Sequence, residues 1–151
     1  MDDLELALQI ALQAHAGQKQ KNGEPYILHP LRVMMQMDTI PGKIAAILHD
    51  VIEDSDWTLE QLAEKGISPE VLEVVDLLTH YERDSYEAYI ERLKKNPLAR
   101  KIKLADLSDN MNIRRLSSLR EKDLKRLERY HKHWKELIRL EESALHIHEP
   151  S

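Results

Sequence analysis

Apolar side chains recur every three to four residues along most of the chain. Residues 3–16 place leucines and alanines on one stripe, a spacing that predicts an amphipathic helix. Thr58 precedes another such segment as a capping residue, and Pro30 and Pro97 stand where a helix accepts proline, in its first turn. No segment keeps the alternation typical of a strand. The pattern predicts an all-α chain of about seven helices that forms one domain over residues 1–151.

The most apolar of the predicted helices ends in a group of polar side chains. Residues 44–55 read IAAILHDVIEDS, an apolar run followed by His49, Asp50, Glu53 and Asp54. Side chains three and four positions apart share a helix face, so these four can reach one cleft. Clustered carboxylates in an apolar setting are costly unless a cation or a matching set of donors neutralises them. The segment therefore predicts a functional site at the end of a buried helix.

Two other segments supply matching polar groups. In IKLADLSDN, residues 102–110, an apolar stem again leads to an acid, Asp106. His29, in PYILHP, precedes a proline that biases it away from helical geometry and fixes it at a corner. These residues are candidates to complete a cation site with the polar end of residues 44–55. The alternative is that His29 caps a helix and the acids pair with Lys and Arg.

The other histidines are assigned to the surface or to supporting positions. The closing helix is predicted over residues 122–145, and surface imidazoles explain the four histidines on or past it: His131, His133, His146 and His148. For His15 and His80, a core position or a supporting role is favoured over ligation of a metal.

The composition narrows the chemistry of such a site. Among its 151 residues the chain has no Cys, so imidazole, carboxylate or carbonyl groups must hold any metal, which suits Mn, Mg, Fe or Zn. The absence of Cys also fits a cytoplasmic protein. The acidic N-terminus does not resemble a signal peptide, and no apolar run reaches the roughly 18 residues of a membrane span.

Charge is distributed unevenly along the chain. Residues 91–135 contain 15 Lys and Arg against 6 Asp and Glu, whereas the rest has 7 against 21, for a net charge of −5. The basic segment is either an ordinary solvated surface or a surface that helps to hold a polyanion. Duplex DNA is a poor candidate, because the whole chain is acidic and no recognition motif occurs. We therefore expect a small phosphorylated ligand as partner, and neither a duplex nucleic acid nor a membrane.

Three ordered motifs resemble those of a known family. The segments AHAGQKQKNGEPYILHP, LHDVIEDS and IKLADLSDNMN are similar to the hydrolase half of RelA/SpoT-type alarmone enzymes, within the HD phosphohydrolase superfamily. The resemblance covers about residues 4–135. Because no synthetase segment follows, the chain looks like the small stand-alone alarmone hydrolases. The resemblance implies an HD-domain helical bundle and removal of the 3′-pyrophosphate from the phosphorylated nucleotide (p)ppGpp.

The resemblance also implies roles for individual residues. One Mn²⁺, or another divalent ion, would have four ligands: His29, His49, Asp50 and Asp106. Glu53 and Asp54, the family's ED pair, would position and activate the attacking water. Lys21 and Asn110 would contact the nucleotide. From the residues alone, Tyr26 is interpreted either as a ring that stacks on a base or as a packing residue at a helix entrance.

Three positions depart from the family pattern. Gln20 stands where the family has an Arg that stacks on guanine, Ile113 replaces a Thr, and Asp109 adds negative charge close to the expected phosphates. These departures favour an alternative in which the same metal centre hydrolyses a different phosphorylated nucleotide. A second alternative is a nucleotide-sensing module without turnover, although the Glu53–Asp54 pair argues against it. A third, a purely structural helical domain, predicts no bound metal.

Overall fold

Helices account for nearly all of the regular structure. The structure, a computed structural model, describes residues 1–148, with side chains described to residue 145. Over this range the only strand-like pairing is an isolated bridge between Lys19 and Pro25, so the predicted all-α class is confirmed. The elements are α1 (Asp3–Ala14), α2 (Leu28–Met35), α3 (Ile40–Leu48), α4 (Val51–Asp54), α5 (Leu59–Glu64), α6 (Pro69–Leu78), α7 (Tyr86–Leu93), α8 (Pro97–Asn110), a 3₁₀ turn (Ile113–Arg115) and α9 (Glu121–His148).

Short polar side chains begin several of these helices, as the sequence predicts. The Thr58 hydroxyl accepts a hydrogen bond from the Gln61 N–H, and the Gln61 side chain accepts one from the Thr58 N–H, which forms a capping box. Pro97 opens α8 as predicted. Pro30 is different, because α2 already begins at Leu28, so His29 is helical and the expectation that it lies outside helical geometry is wrong. Pro30 is tolerated there because the first N–H groups of a helix have no partner within the helix.

The single helix predicted over residues 43–54 is divided in two. α3 ends at Leu48, and Asp50 has φ −104° and ψ 0°, outside the helical range. One further turn, α4, then follows, and the Ser55 hydroxyl donates to the carbonyl oxygen of Val51 at 2.6 Å. The division places His49 and Asp50 at a junction, where their side chains no longer follow one helix surface.

α3 lies at the centre of the molecule. It packs against α1, α2, α6 and α8. Four consecutive side chains near its end are completely buried: Ala45, Ala46, Ile47 and Leu48. A helix that is apolar all round has to be enclosed by other elements. The polar junction after Leu48 is therefore anchored to the most enclosed helix of the fold.

The closing helix differs from its prediction at one histidine. His131 is exposed, as expected, but His133 is buried, because α9 packs against α8 and this position faces inward. Its ring lies 4.9 Å from that of Tyr86, centroid to centroid. The side chains of His146 and His148 lie outside the described residues, so their surface positions stay predictions.

Two predictions concern the molecule as a whole. Within the described part of the chain, no helix has both the length and the hydropathy needed to cross a bilayer. The assignment of residues 1–151 to one domain stays a prediction.

Candidate metal centre

Four side chains that are distant in sequence converge on one point. His29 lies on α2, His49 and Asp50 lie at the α3–α4 junction, and Asp106 lies on α8. One possible ligand atom from each lies within 4.8 Å of the others. All but Asp50 are buried, and the Asp50 side chain is 14% exposed. The structure thus brings together the four residues for which the sequence predicts metal ligation.

The nitrogen atoms of His49 have contrasting surroundings. Nδ1 lies 2.6 Å from the carbonyl oxygen of Ala46, so a proton on Nδ1 satisfies that carbonyl and leaves the lone pair on Nε2. Nε2 lies 3.0 Å from Asp50 Oδ2, but it makes no well-aligned hydrogen bond within residues 1–145. A buried ring nitrogen without an aligned partner, next to two carboxylates, fits the donor set of a divalent ion.

The charges of the four convergent side chains also support a site for a divalent ion. Burial lowers the pKa of His29, but the hydrogen bonds with Asp106 and Asp109 and the charge of Asp106 together outweigh burial and raise the pKa to about 9. Burial raises the pKa of Asp50, but the charge and hydrogen bond of His49, together with the charge of His29, outweigh burial and lower the pKa to about 2. Burial opposes the ionised form of Asp106 too, yet Lys103 and both histidines hold its pKa well below the usual range. The ionised carboxylates thus require positive charge, which imidazole protons or a divalent ion can supply.

Glu53 and Asp54 lie on α4, beside this group. They line a cavity of about 200 Å³ together with Asp50 and Asp106. Glu53 Oε1 accepts a hydrogen bond from the backbone N–H of His80 at 2.5 Å. Partial desolvation of the carboxylate outweighs this bond and raises the pKa of Glu53 to about 7, and desolvation and Asp50 also raise the pKa of Asp54. A carboxyl group that exchanges its proton near neutral pH suits general acid–base chemistry.

A second cavity, of about 290 Å³, adjoins the group at His29. Tyr26, Asn110 and Tyr130 line both cavities, which therefore meet beside the carboxylates. Lys21 and Asn110, for which the family resemblance implies contact with a nucleotide, both line the larger cavity. The substrate-binding role of Lys21, Asn110 and Tyr26 stays a prediction.

Tyr26 makes a contact that the sequence analysis does not contain. Its hydroxyl donates a hydrogen bond to Asp50 Oδ2 at 2.6 Å. Its ring also lies 5.1 Å from that of His15 and 5.7 Å from that of His29, centroid to centroid. His15 is buried, in line with the core position favoured for it. Tyr26 thus helps to hold a proposed metal ligand, and no short-range sequence signal indicates a contact across 24 residues.

Arg32 donates hydrogen bonds to both Gln20 and Asp109, two of the three positions that depart from the family pattern. Arg32 Nη2 donates to Gln20 Oε1 at 3.0 Å, and Gln20 Nε2 donates to the carbonyl oxygen of Pro25 at 3.1 Å. Asp109 accepts from Arg32 Nε at 2.7 Å and lies 2.6 Å from His29 Nδ1. The negative charge of Asp109 is thus paired, and its closeness to the phosphates of a ligand stays a prediction.

The basic segment contributes four cations to the two cavities. Arg115 and Arg126 line the larger cavity, and Lys103 and Arg129 line the smaller one. Lys103 is buried, and its Nζ donates to Asp106 Oδ2 at 2.9 Å. These positions favour the interpretation that the basic segment helps to hold a phosphorylated ligand over that of an ordinary solvated surface.

Comparison with known proteins gives consistent matches. The HD domain family model matches residues 7–132. A guanosine-3′,5′-bis(diphosphate) 3′-pyrophosphohydrolase of Haemophilus influenzae is 40% identical, with 78% of this chain and 19% of that protein covered. The bifunctional (p)ppGpp synthase/hydrolase SpoT of Escherichia coli K12 is 39% identical, with coverages of 83% and 20%. The chain thus spans about a fifth of the length of these curated relatives.

A solved structure also shares the fold. It belongs to a metazoan ortholog of SpoT that hydrolyzes ppGpp and plays a role in starvation responses. It matches with a TM-score of 0.77 at 23% sequence identity, and the match covers 92% of this chain and 86% of that one. This likeness supports the helical bundle described above.

Proposed function

The chain belongs to the HD domain family, and from this premise we propose that it is a metal-dependent phosphohydrolase that removes the 3′-pyrophosphate from (p)ppGpp. The observation that carries the proposal is the convergence of two buried imidazoles and two carboxylates within 4.8 Å. The adjoining cavities, which contain cations, have room for a phosphorylated ligand. The names of relatives that are about 40% identical support the choice of substrate.

We propose that His29, His49, Asp50 and Asp106 bind one divalent ion, Mn²⁺ in the first instance. Two nitrogen and two oxygen donors, with no sulfur, suit such an ion and leave coordination positions open. When bound, the ion supplies positive charge that polarises a phosphoryl group and makes water a better nucleophile near neutral pH.

Glu53 is the proposed proton acceptor for the attacking water. Its pKa of about 7 matches the working range of a general base, and the His80 N–H orients its carboxylate. Asp54, the next residue on α4, would hold the water in line. In the overall reaction, water adds to the phosphorus atom that is bonded to the 3′ oxygen. The bond between this phosphorus and the 3′ oxygen breaks, and pyrophosphate and a nucleotide with a free 3′ hydroxyl form.

The larger cavity is the proposed nucleotide site. Lys21 and Arg115 line it and would pair with phosphate oxygens, while Asn110 would donate from its amide. Tyr26 would hold Asp50 through its hydroxyl and border the same cavity with its ring. Cytoplasmic localisation is part of the proposal and rests on the absence of Cys.

A second candidate function is hydrolysis of a different phosphorylated nucleotide at the same centre. The observation that favours it is the state of Gln20, whose amide is engaged at both ends by Arg32 and Pro25. Gln20 therefore offers neither a guanidinium plane nor a free amide to a guanine base. Ile113, 39% exposed in the 3₁₀ turn, likewise offers no hydroxyl.

One assay separates these functions. Purified protein with Mn²⁺ is given ppGpp, pppGpp, GTP, NADPH and mononucleotides, and released pyrophosphate and phosphate are measured. We expect pyrophosphate from ppGpp. Metal-dependent turnover of another nucleotide, with none of ppGpp, would support the second function. Tight binding of a nucleotide without any turnover would contradict both and favour a sensing module.

A further inference from the structure

Asp109 lies one turn after Asp106 on α8. It contacts the proposed metal ligand His29 at Nδ1, the ring nitrogen that faces away from the other ligands. Its Oδ2 is 2.6 Å from His29 Nδ1, while His29 Nε2 is directed at the other ligands and lies 2.8 Å from Asp106 Oδ1. The Asp109 side chain is 12% exposed. The two nitrogens of the His29 ring thus face two carboxylates on the same helix.

This arrangement determines which nitrogen of His29 is free to bind a cation. A proton on Nδ1, held by Asp109, leaves the Nε2 lone pair directed at the metal group. Carboxylates in this position fix the orientation of an imidazole ligand and raise its basicity. Without Asp109, the ring would be free to rotate about its side-chain bonds or to adopt the other tautomer.

Asp109 is itself held by two guanidinium groups. Arg32 donates to its carboxylate from Nε at 2.7 Å and from Nη2 at 3.1 Å. Arg115 donates to the Asp109 carbonyl oxygen at 2.6 Å and to the carboxylate at 3.4 Å. Because Arg115 also lines the larger cavity, the contacts run without interruption from the proposed nucleotide site to His29.

We propose that Asp109, held by Arg32, is the positioning residue that orients His29 for binding of a divalent ion. This inference rests on the proposed metal-dependent function and assigns a purpose to a residue that departs from the family's motif. The competing interpretation is that the contact between Asp109 and Arg32 only joins α2 to α8.

A second carboxylate–guanidinium contact provides the matched control. Glu141 Oε1 accepts from Arg100 Nε at 2.5 Å, and this pair joins α8 to α9. Glu141→Ala removes a partly buried carboxylate from α9 without touching the four proposed metal ligands. A merely structural role for Asp109 predicts that Asp109→Ala and Glu141→Ala behave alike.

The experiment measures affinity for Mn²⁺ alone, by calorimetry on protein first stripped of metal with a chelator. We expect Asp109→Ala to bind Mn²⁺ about 10–100-fold more weakly than wild type, the range usual for loss of such a supporting group. The Mn²⁺ affinity of Asp109→Asn should lie between those of wild type and Asp109→Ala. The Asn amide oxygen still accepts a hydrogen bond from His29 Nδ1–H but lacks the negative charge. Glu141→Ala should retain wild-type affinity.

A spectroscopic readout tests the orientation directly. With Zn²⁺ bound, nitrogen-15 NMR of wild type should show the His29 proton on Nδ1, with Nε2 in contact with the metal. Asp109→Ala should lose this single state. If Asp109→Ala does not fold, Asp109→Asn and Arg32→Gln provide the same comparison.

The outcomes separate this inference from the function on which it rests. Equal Mn²⁺ affinity in wild type and Asp109→Ala, with the His29 tautomer unchanged, would overturn the positioning role and leave the metal centre intact. No binding of any divalent ion by wild type would overturn the proposed function and this inference with it.

Discussion

At the scale of single residues, the proposed metal ligands are supported by specific neighbours. The Tyr26 hydroxyl donates to Asp50, and Lys103 donates to Asp106. Each contact holds a carboxylate in place, and Lys103 also keeps Asp106 ionised, although burial alone would favour its protonated form. The ligand types and their motifs can be predicted from the sequence, but these partners cannot, because the contacts depend on how the helices pack.

Replacing Glu53 separates catalysis from metal binding. Glu53→Gln should retain the ion, since Glu53 lies outside the group of four ligand residues, and should lose about 10²–10⁴-fold in kcat, the usual contribution of a general base. Turnover of ppGpp and Mn²⁺ affinity are measured on the same preparation. Equal loss of both would show that Glu53 is a metal ligand instead.

The raised pKa of Glu53 makes a prediction about stability and pH. In metal-free protein its folded-state pKa is about 7 against a reference value of 4.5. Between these values the folded state holds a proton that the unfolded state has released, so this group makes the protein less stable as pH rises through that window. Glu53→Gln, which stays neutral, should therefore gain stability over wild type at pH 8 and little at pH 4.

Urea unfolding in the presence of a chelator, repeated across that pH range, measures this difference. Glu60→Gln, at an exposed position on α5, is the control and should follow wild type. A Glu53→Gln variant that is no more stable than wild type at pH 8 would show that the carboxylate carries no such penalty.

At the scale of elements, local signals predict helix starts better than helix ends. Thr58 and Pro97 act as predicted because capping depends on a few adjacent residues. The break after Leu48 is not evident from the sequence, because residues 44–55 keep a helical spacing throughout. At the break, the side chain of Asp50 meets His29 of α2, and that of His49 meets Asp106 of α8. These contacts join residues that are far apart in sequence.

The buried helix α3 should be sensitive to truncation of its core side chains. Ile47 is completely buried, so Ile47→Ala should lower the free energy of unfolding by about 2–5 kcal/mol. Ile40, on the same helix but 53% exposed, provides the control, and Ile40→Ala should change stability by about 0.5 kcal/mol or less. Urea unfolding measures both variants. Similar losses in the two would contradict the described burial of α3.

At the scale of the whole molecule, the proposed ion would connect distant parts of the fold. Its ligands lie on α2, at the α3–α4 junction and on α8, so the complete set exists only in the folded chain. The basic residues 91–135 supply cations to both cavities, although the chain as a whole is acidic. The sequence reveals the charge asymmetry, but only the fold shows which cations face the site.

Because the ion would bind the folded state alone, it should stabilise the protein. Mn²⁺ at 100 times its dissociation constant should add about 2.7 kcal/mol, and Tm should rise with concentration. Thermal unfolding monitored by circular dichroism measures this rise. His29→Ala should show a much smaller increase, and a Tm independent of Mn²⁺ in wild type would argue against a ligand set formed by folding.

The stoichiometry of metal binding tests the central claim most directly. Native mass spectrometry of metal-stripped protein, supplied with Mn²⁺, should show one ion per chain in wild type. Asp50→Ala, which lacks one of the four convergent ligands, should show none under the same conditions. A wild-type protein that stays free of metal, or an Asp50→Ala variant that binds the ion equally well, would contradict the proposed metal centre.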